Sequence, residues 1–190
     1  MTRVAVISSA SGNGKTTVAL AVAERLDVPY HELDALHHGP NWAEPPLEEF
    51  RARVERIVRS ESWVIDGAYR GKLGDLVLEG AELVVWLDLP LHVWLPRLVR
   101  RTIRRVARRE ELWNGNRERL RDALHPHNSV VLYALRKYRR QRRTYAAELA
   151  RFPLARLCTQ GEVEDFLTRD LSSAIQAAAR RPSQIGVKST

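Results

Sequence analysis

This sequence predicts an α/β domain built on a parallel sheet, and three observations carry that prediction. Short, continuous apolar runs recur along the chain, segments of helical periodicity separate them, and a glycine-rich loop joins the first run to the first helical segment. Continuous apolar runs suit strands buried on both faces. Their alternation with helices suits parallel strands joined by right-handed crossovers.

Val4-Ala5-Val6-Ile7 is the first strand. Beyond the loop, Val18, Leu20, Ala21, Val22 and Leu26 carry a helix that Asp27 and Pro29 end. Four further strands are expected at Tyr30-His31-Glu32-Leu33, Trp63-Val64-Ile65, Leu83-Val84-Val85-Trp86-Leu87 and Leu154-Ala155-Arg156-Leu157-Cys158. Phe50, Val54, Ile57 and Val58 share one face of a helix beginning near Pro46. From Pro90 to Leu149 the chain reads as mostly helical and rich in arginine. Leu95, Leu98, Val99, Ile103 and Val106 form an apolar stripe, and Pro96 is expected to start or kink that helix. Asn114-Gly115-Asn116 reads as a turn. A second arm follows Asn128 as N-cap, with Val131, Leu135, Tyr138, Tyr145 and Leu149 on one side. Glu162 to Arg180 reads as a terminal helix, and 181–190 as a frayed tail.

With 190 residues, 44% apolar and 28% charged, the composition is that of one soluble domain, taken as 1–180. The net charge of +8, mostly from arginine, suits an anionic ligand. A lone Cys158 excludes an intramolecular disulfide and a cysteine cluster for metal. The chain enters an apolar strand at once, unlike a signal peptide, and its longest apolar stretch, Leu83 to Leu91, is interrupted by Asp88 and too short to span a bilayer. A cytoplasmic protein with no membrane partner is expected; the oligomeric state stays open.

Ser9-Ala10-Ser11-Gly12-Asn13-Gly14-Lys15-Thr16 follows the phosphate-loop pattern G-x-x-x-x-G-K-[ST], with Ser9 in place of the first glycine. Gly12 and Gly14 let successive backbone N–H groups turn inward onto a phosphate, and the following helix adds its dipole. Ser11, Gly12, Asn13, Gly14, Lys15, Thr16 and Thr17 are therefore the candidate ATP-binding residues. Lys15 would bridge the β- and γ-phosphates, and the Thr16 hydroxyl would ligate Mg²⁺. Ser9 stands where the pattern prefers glycine, so backbone strain is expected there.

Two strand-ending aspartates, Asp66 and Asp88, compete for the Mg²⁺ side of such a site. Asp34 is a third candidate, either a general base on an acceptor hydroxyl or a plain turn aspartate. Between Arg97 and Arg143 lie sixteen Lys and Arg against four acidic residues. Guanidinium groups neutralise the charge that phosphoryl transfer concentrates on equatorial oxygens. Arg101 and Arg105 lead the candidates, followed by Arg139 and Arg143 on the second arm. The same charge could be a solvated face, or could lie along nucleic-acid phosphates. No nucleic-acid-reading motif accompanies it, which leaves nucleic acid the lesser partner reading.

Asp66-Gly67-Ala68-Tyr69-Arg70 resembles the Asp-Gly-x-x-Arg segment of adenylate kinase and related nucleoside monophosphate kinases. A wider set of segments resembles a narrower group of adenylate-kinase-related proteins labelled DNA topology modulation protein, or FlaR-like. These are the loop, Leu33-Asp34-Ala35-Leu36, Pro40-Asn41-Trp42, Trp63 through Arg70, Leu87-Asp88-Leu89-Pro90, Arg100-Arg101-Thr102 and Glu110 through Asn116. Ala68 departs from the asparagine common there. The resemblance implies a P-loop NTPase fold of the nucleoside monophosphate kinase type, its five-stranded parallel sheet in the order 2-3-1-4-5. It also implies an acceptor-binding arm over 35–62, holding His37, His38 and Trp42, and a helical arginine-rich lid over 97–150. By the same resemblance Asp66 supports Mg²⁺ through water, Arg70 grips an acceptor phosphate, and Asp88 is structural. In shikimate- and gluconate-type kinases an aspartate placed like Asp34 contacts an acceptor hydroxyl.

The expected function is an ATP- and Mg²⁺-dependent phosphotransferase acting on a small acceptor. The alternative is a nucleotide-binding regulatory ATPase that acts on nucleic acid through its basic arm. Arg70 points to a phosphorylated acceptor and Asp34 to a free hydroxyl, and the sequence leaves both open.

Overall fold

The computed structural model describes residues 2–108, 110–116, 130–168, 171 and 175. The expected N-cap Asn128, the rest of the terminal helix and the 181–190 tail lie outside the described residues.

Five parallel strands form one sheet: β1 (Thr2–Ser8), β2 (Tyr30–Glu32), β3 (Ser62–Asp66), β4 (Leu83–Leu87) and β5 (Leu154–Leu157), in the order β2-β3-β1-β4-β5. That is the expected order. The helices are α1 (Lys15–Leu26), α2 (Leu33–His37), α3 (Leu47–Val58), α4 (Arg70–Leu73), α5 (Leu76–Gly80), α6 (Leu91–Arg108), α7 (Val130–Glu148) and α8 (Gln160–Thr168). Two tight turns, Pro40–Trp42 and Trp113–Gly115, complete the described elements.

Strand alternation sorts the core into two layers. Val4, Val6, Val64, Leu83, Val85 and Leu87 pack on Val18, Val22, Val163 and Phe166. Ala5, Ile7, Trp63, Ile65, Val84 and Trp86 face the other way, onto Phe50, Val54, Val58 and Val77. Both strand faces are covered, which is why these runs are continuously apolar rather than alternating. Each fully buried large side chain contributes roughly 1.5–3 kcal/mol of transfer free energy.

Helix boundaries follow local chemistry. Asp27 ends α1 in a left-handed conformation, and its N–H reaches the carbonyls of Ala23 and Glu24. Thr159 and Glu162 form a reciprocal cap on α8: Glu162 N–H donates to Thr159 Oγ1 at 3.1 Å, and Thr159 N–H to Glu162 Oε2 at 3.2 Å. Leu33, expected in the second strand, instead opens α2.

One expectation about α6 is narrowed and another corrected. The helix begins at Leu91, so of the two readings of Pro96 the helix start is excluded, and the proline lies inside the helix. The buried face is Trp94, Leu98 and Thr102, whereas Val99 and Ile103 of the expected stripe are exposed. Residues four apart share a face, and 99 and 103 stand about 100° round from 98 and 102. The face chosen is the one that docks on the loop after β1: Trp94 and Leu98 pack with Ala10, Tyr138 and Leu135.

Candidate functional site

The loop between β1 and α1 has the backbone that its glycines allow. Gly12 takes φ +90° and Gly14 takes φ +84°, the latter as a left-handed N-cap with no side-chain cap bond to α1. The first N–H groups of α1, from Lys15 onward, are thus left without a capping side chain at their open end. Gly12 is also fixed by packing, since a Cβ there would stand 2.8 Å from the Trp94 carbonyl oxygen and 3.1 Å from Leu98 Cβ. The base of α6 therefore rests directly on the loop. Asn13 is buried and donates from Nδ2 to the Ala10 carbonyl at 3.1 Å, bracing the loop from within. Ser11 and Thr17 are exposed.

Ser9 does not carry the expected strain. It is absent from the left-handed residues among those described, and its buried hydroxyl donates to Asp88 Oδ1 at 2.9 Å. The same hydroxyl accepts the Trp86 indole N–H at 2.8 Å. Asp88 is not a simple cap at the strand end. It is fully buried, receives Arg156 Nε at 3.1 Å on its second oxygen, also pairs there with Arg156 Nη2, and lies 3.6 Å from Arg142 Nε.

Asp66 is the fully buried carboxylate at the tip of β3. One oxygen pairs with Lys15 Nζ; the other accepts the Thr16 hydroxyl at 2.7 Å and the Tyr30 hydroxyl at 3.1 Å. Tyr30 holds its phenolic proton far above the ordinary range because burial and the charges of Asp66 and Glu32 both oppose ionisation. The loop lysine, the loop threonine and the β3 aspartate are thereby one cluster, as sequence reasoning expected. Tyr30 was missed; its signal was its position two residues before Glu32, which the β2–β3 register sets opposite Asp66.

Asp34 lies at the start of α2 and accepts the Tyr69 hydroxyl at 2.6 Å on Oδ1. A Cβ at Gly67 would stand 3.7 Å from Leu33 Cβ and 3.8 Å from Lys15 Nζ, so α2 begins beside the lysine head. Glu32 accepts the Trp113 indole N–H at 2.8 Å. Burial raises its pKa, and the charges of Asp66 and Asp34 push the same way, while the Trp113 bond and Lys15 oppose them. His37 is buried against Phe50 and Tyr69, with its Nε2 2.8 Å from Lys72 Nζ. Lys72 also pairs with Glu44 at 2.5 Å.

Trp42 is exposed and belongs to a clasp that sequence reasoning did not foresee. Asn116 accepts the Trp42 backbone N–H at 2.9 Å and donates to the Gly39 carbonyl at 2.9 Å, and Asn114 donates to the His38 carbonyl at 2.5 Å. The Trp113 ring stacks on His38 with centroids 5.7 Å apart. The clasp ties the turn Pro40–Trp42 and the residues just before it to the turn Trp113–Gly115 and Asn116.

Arg70 is tied away from this cluster. Its Nε reaches Asp75 Oδ1 and its Nη1 reaches Glu148 Oε2, each at 2.5 Å, and its guanidinium lies 5.3 Å from the Tyr145 ring centroid. Along α6, Val93, Pro96, Arg97, Arg100, Arg101 and Arg104 line one open cleft of about 480 Å³. Arg97 there donates to Gln160 Oε1 at 3.0 Å. Arg105 is half-buried on the same helix, whereas Arg139 and Arg143 are exposed on α7. Among the described residues no group of three or more His, Cys, Asp or Glu could hold a metal ion, and no helix is long and apolar enough to cross a membrane.

No family model matches the sequence, and no curated protein matches it. Solved structures do match. A shikimate kinase from Acinetobacter baumannii in complex with shikimate is similar at 16% identity and TM-score 0.58, over 95% of this chain and 97% of that one. A shikimate kinase from Bacteroides thetaiotaomicron is similar at 14% identity and TM-score 0.53, over 93% and 95%. A gluconokinase from Sinorhizobium meliloti 1021 is similar at 19% identity and TM-score 0.45, over 94% and 89%. The chain has a P-loop kinase-type fold.

Proposed function

We propose that this protein is an ATP- and Mg²⁺-dependent phosphotransferase acting on a small acceptor. The observation that carries the reading is the buried Asp66 carboxylate holding both Lys15 and Thr16 at the mouth of the glycine loop. The sheet order and the likeness to shikimate kinases add support at the level of fold.

The geometry supports the following roles. Backbone N–H groups of Gly12 to Thr17 and the Lys15 ammonium receive the ATP phosphates. The Thr16 hydroxyl and the Asp66 carboxylate form a pair of hard oxygen donors, 2.7 Å apart. That set fits Mg²⁺, which takes one or two protein oxygens and completes its shell with water and phosphate. Bound there, Mg²⁺ supplies neutralising charge on the β- and γ-phosphate oxygens. Arg97 and the chain near Gln160 flank the nucleotide base, and Arg101 and Arg105 supply lid charge, with Arg139 and Arg143 following from the second arm. Asp34, oriented by Tyr69, meets the acceptor, while His37 and Trp42 belong to the arm that encloses it.

The test is ADP formation by the purified chain with ATP and Mg²⁺ across nucleosides, nucleotides, sugars and hydroxy acids, with Lys15→Ala as control. Acceptor-stimulated turnover that Lys15→Ala abolishes is expected. Tight ATP binding without stimulation by any acceptor would overturn the reading and favour the nucleotide-binding regulatory alternative.

A further inference from the structure

The resemblance read from the sequence gives Arg70 to an acceptor phosphate, yet the folded chain spends that arginine elsewhere. Its two bonds to Asp75 and Glu148 fasten α4 to the C-terminal end of α7, and Arg151 takes the second oxygen of Asp75. Swinging toward an acceptor would break the bond to Glu148, leave Asp75 to Arg151 alone and lift the guanidinium off Tyr145. Charge-assisted bonds of this kind, partly shielded from water, are the ones that hold.

The two lysines nearest Asp34 and Asp66 in the contacts described above already have anionic partners. Lys15 pairs with Asp66, and Lys72 pairs with Glu44 while touching His37. Against them stand Glu32, Asp34 and Asp66, close enough that each carboxylate raises the proton affinity of the Tyr30 phenol. A phosphate on the acceptor would bring further negative charge against this wall. Hydroxyl groups would instead find acceptors. Asp34 Oδ1 is taken by Tyr69, and its Oδ2 makes no hydrogen bond among the described residues. The imidazole of His37, 3% exposed, keeps an Nδ1 with no partner among the described residues. A buried ring nitrogen in that state asks for a hydroxyl donor or acceptor.

We infer that the acceptor is an uncharged polyhydroxyl compound that carries no phosphate of its own, an inference that rests on the phosphotransferase reading above. Its reacting hydroxyl oxygen attacks the γ-phosphorus of ATP. A new O–P bond forms as the bond to the bridging β–γ oxygen breaks, and that electron pair leaves with ADP. The hydroxyl proton passes to Asp34 Oδ2 and from there to water.

The experiment uses the full chain with ATP and Mg²⁺ and matched pairs of acceptors: a nucleoside and its 5′-monophosphate, a hexose and its 6-phosphate, a polyol and its monophosphate. At least one uncharged member is expected to stimulate ADP formation tenfold or more, and its phosphorylated partner less than twofold. Releasing Arg70 with the pair Asp75→Asn and Glu148→Gln is expected to raise binding of the phosphorylated member, read by calorimetric titration on a variant shown to be folded. Stronger stimulation by a phosphorylated member in the unaltered protein overturns the inference and leaves the kinase reading standing. No stimulation by any member overturns the inference, and the kinase reading falls with it only when the hydroxy acids of the wider screen also leave turnover unchanged.

Discussion

The hydroxyl of Ser9 donates to Asp88 Oδ1 at 2.9 Å, joining the first residue of the glycine loop to the residue that follows β4. Both residues are fully buried, and the same hydroxyl accepts the Trp86 indole N–H at 2.8 Å. Asp88 then reaches Arg156, whose guanidinium lies 4.4 Å from the Trp86 ring centroid, and Arg142 of α7. The loop, two strands and α7 thus share one carboxylate.

Restoring the usual glycine at this position is expected to harm the protein. Ser9→Gly leaves the Trp86 N–H without an acceptor and Asp88 Oδ1 without a donor, in a site closed to water. An orphaned buried polar group costs about 1–3 kcal/mol. Urea denaturation should show a loss of that size, and a gain in stability would refute the role given to Ser9.

Gly12→Ala should separate nucleotide binding from folding. The new methyl meets the Trp94 carbonyl oxygen at 2.8 Å and takes a backbone conformation, φ +90°, that side chains disfavour. Either the loop or the base of α6 must shift. Titration with a non-hydrolysable ATP analogue should show affinity lower by tenfold or more, about 1.4 kcal/mol. Gly14→Ala has the strained φ but open space around it, so its loss should come without displacement of α6. Unchanged Trp94 fluorescence in Gly12→Ala would argue against that displacement.

What the sequence made legible is what lies close along the chain. The run Leu83–Leu87 is a strand because both its faces are covered, and the loop motif stands between a strand and a helix as its glycines require. Asp66, Lys15 and Thr16 could be grouped because the strand order follows from the alternation and the resemblance together. The bonds that define the rest of the site span the chain: Ser9 to Asp88, Asn116 to Gly39, Arg70 to Glu148. Residues more than seventy positions apart leave no local pattern. Asp88 therefore read as a rival to Asp66 for Mg²⁺ or as structural with no named partner, Asn116 as a turn residue, and Arg70 as free for a ligand. The face of α6 was misjudged for the same reason, since what selects Trp94 and Leu98 is the loop they rest on.

Glu32→Gln should stabilise the protein at neutral pH. Burial, with Asp66 and Asp34 nearby, raises the Glu32 pKa, so the folded state binds a proton more readily than the unfolded chain. A carboxyl raised in this way opposes folding where it is ionised, and the opposition fades as pH falls through its folded pKa. Glutamine keeps a carbonyl oxygen for the Trp113 N–H and carries no charge. The melting temperature of the variant should exceed that of the parent at pH 7, and the two should converge in acid. Asp75 gives the opposite sign: its bond to Arg70 lowers its pKa, so its contribution is present at neutral pH and lost in acid.

Asn116→Ala tests whether the clasp encloses the acceptor. The side chain accepts the Trp42 N–H and donates to the carbonyls of Gly39 and Trp113, three bonds on a residue 4% exposed. Its removal frees the Trp42 turn, where Asn41 and Trp42 both hold left-handed backbone that needs outside support. The strain so released opposes the loss of the bonds, and the net cost to stability should be about 1–3 kcal/mol. The informative contrast is kinetic. Asn116 bridges the Trp42 and Trp113 turns and lies outside the glycine loop, so KM for the acceptor should rise severalfold while the affinity for the ATP analogue stays within about twofold. A rise in both together would mean that the clasp only holds the fold; a rise for the acceptor alone places it at the mouth of the acceptor site.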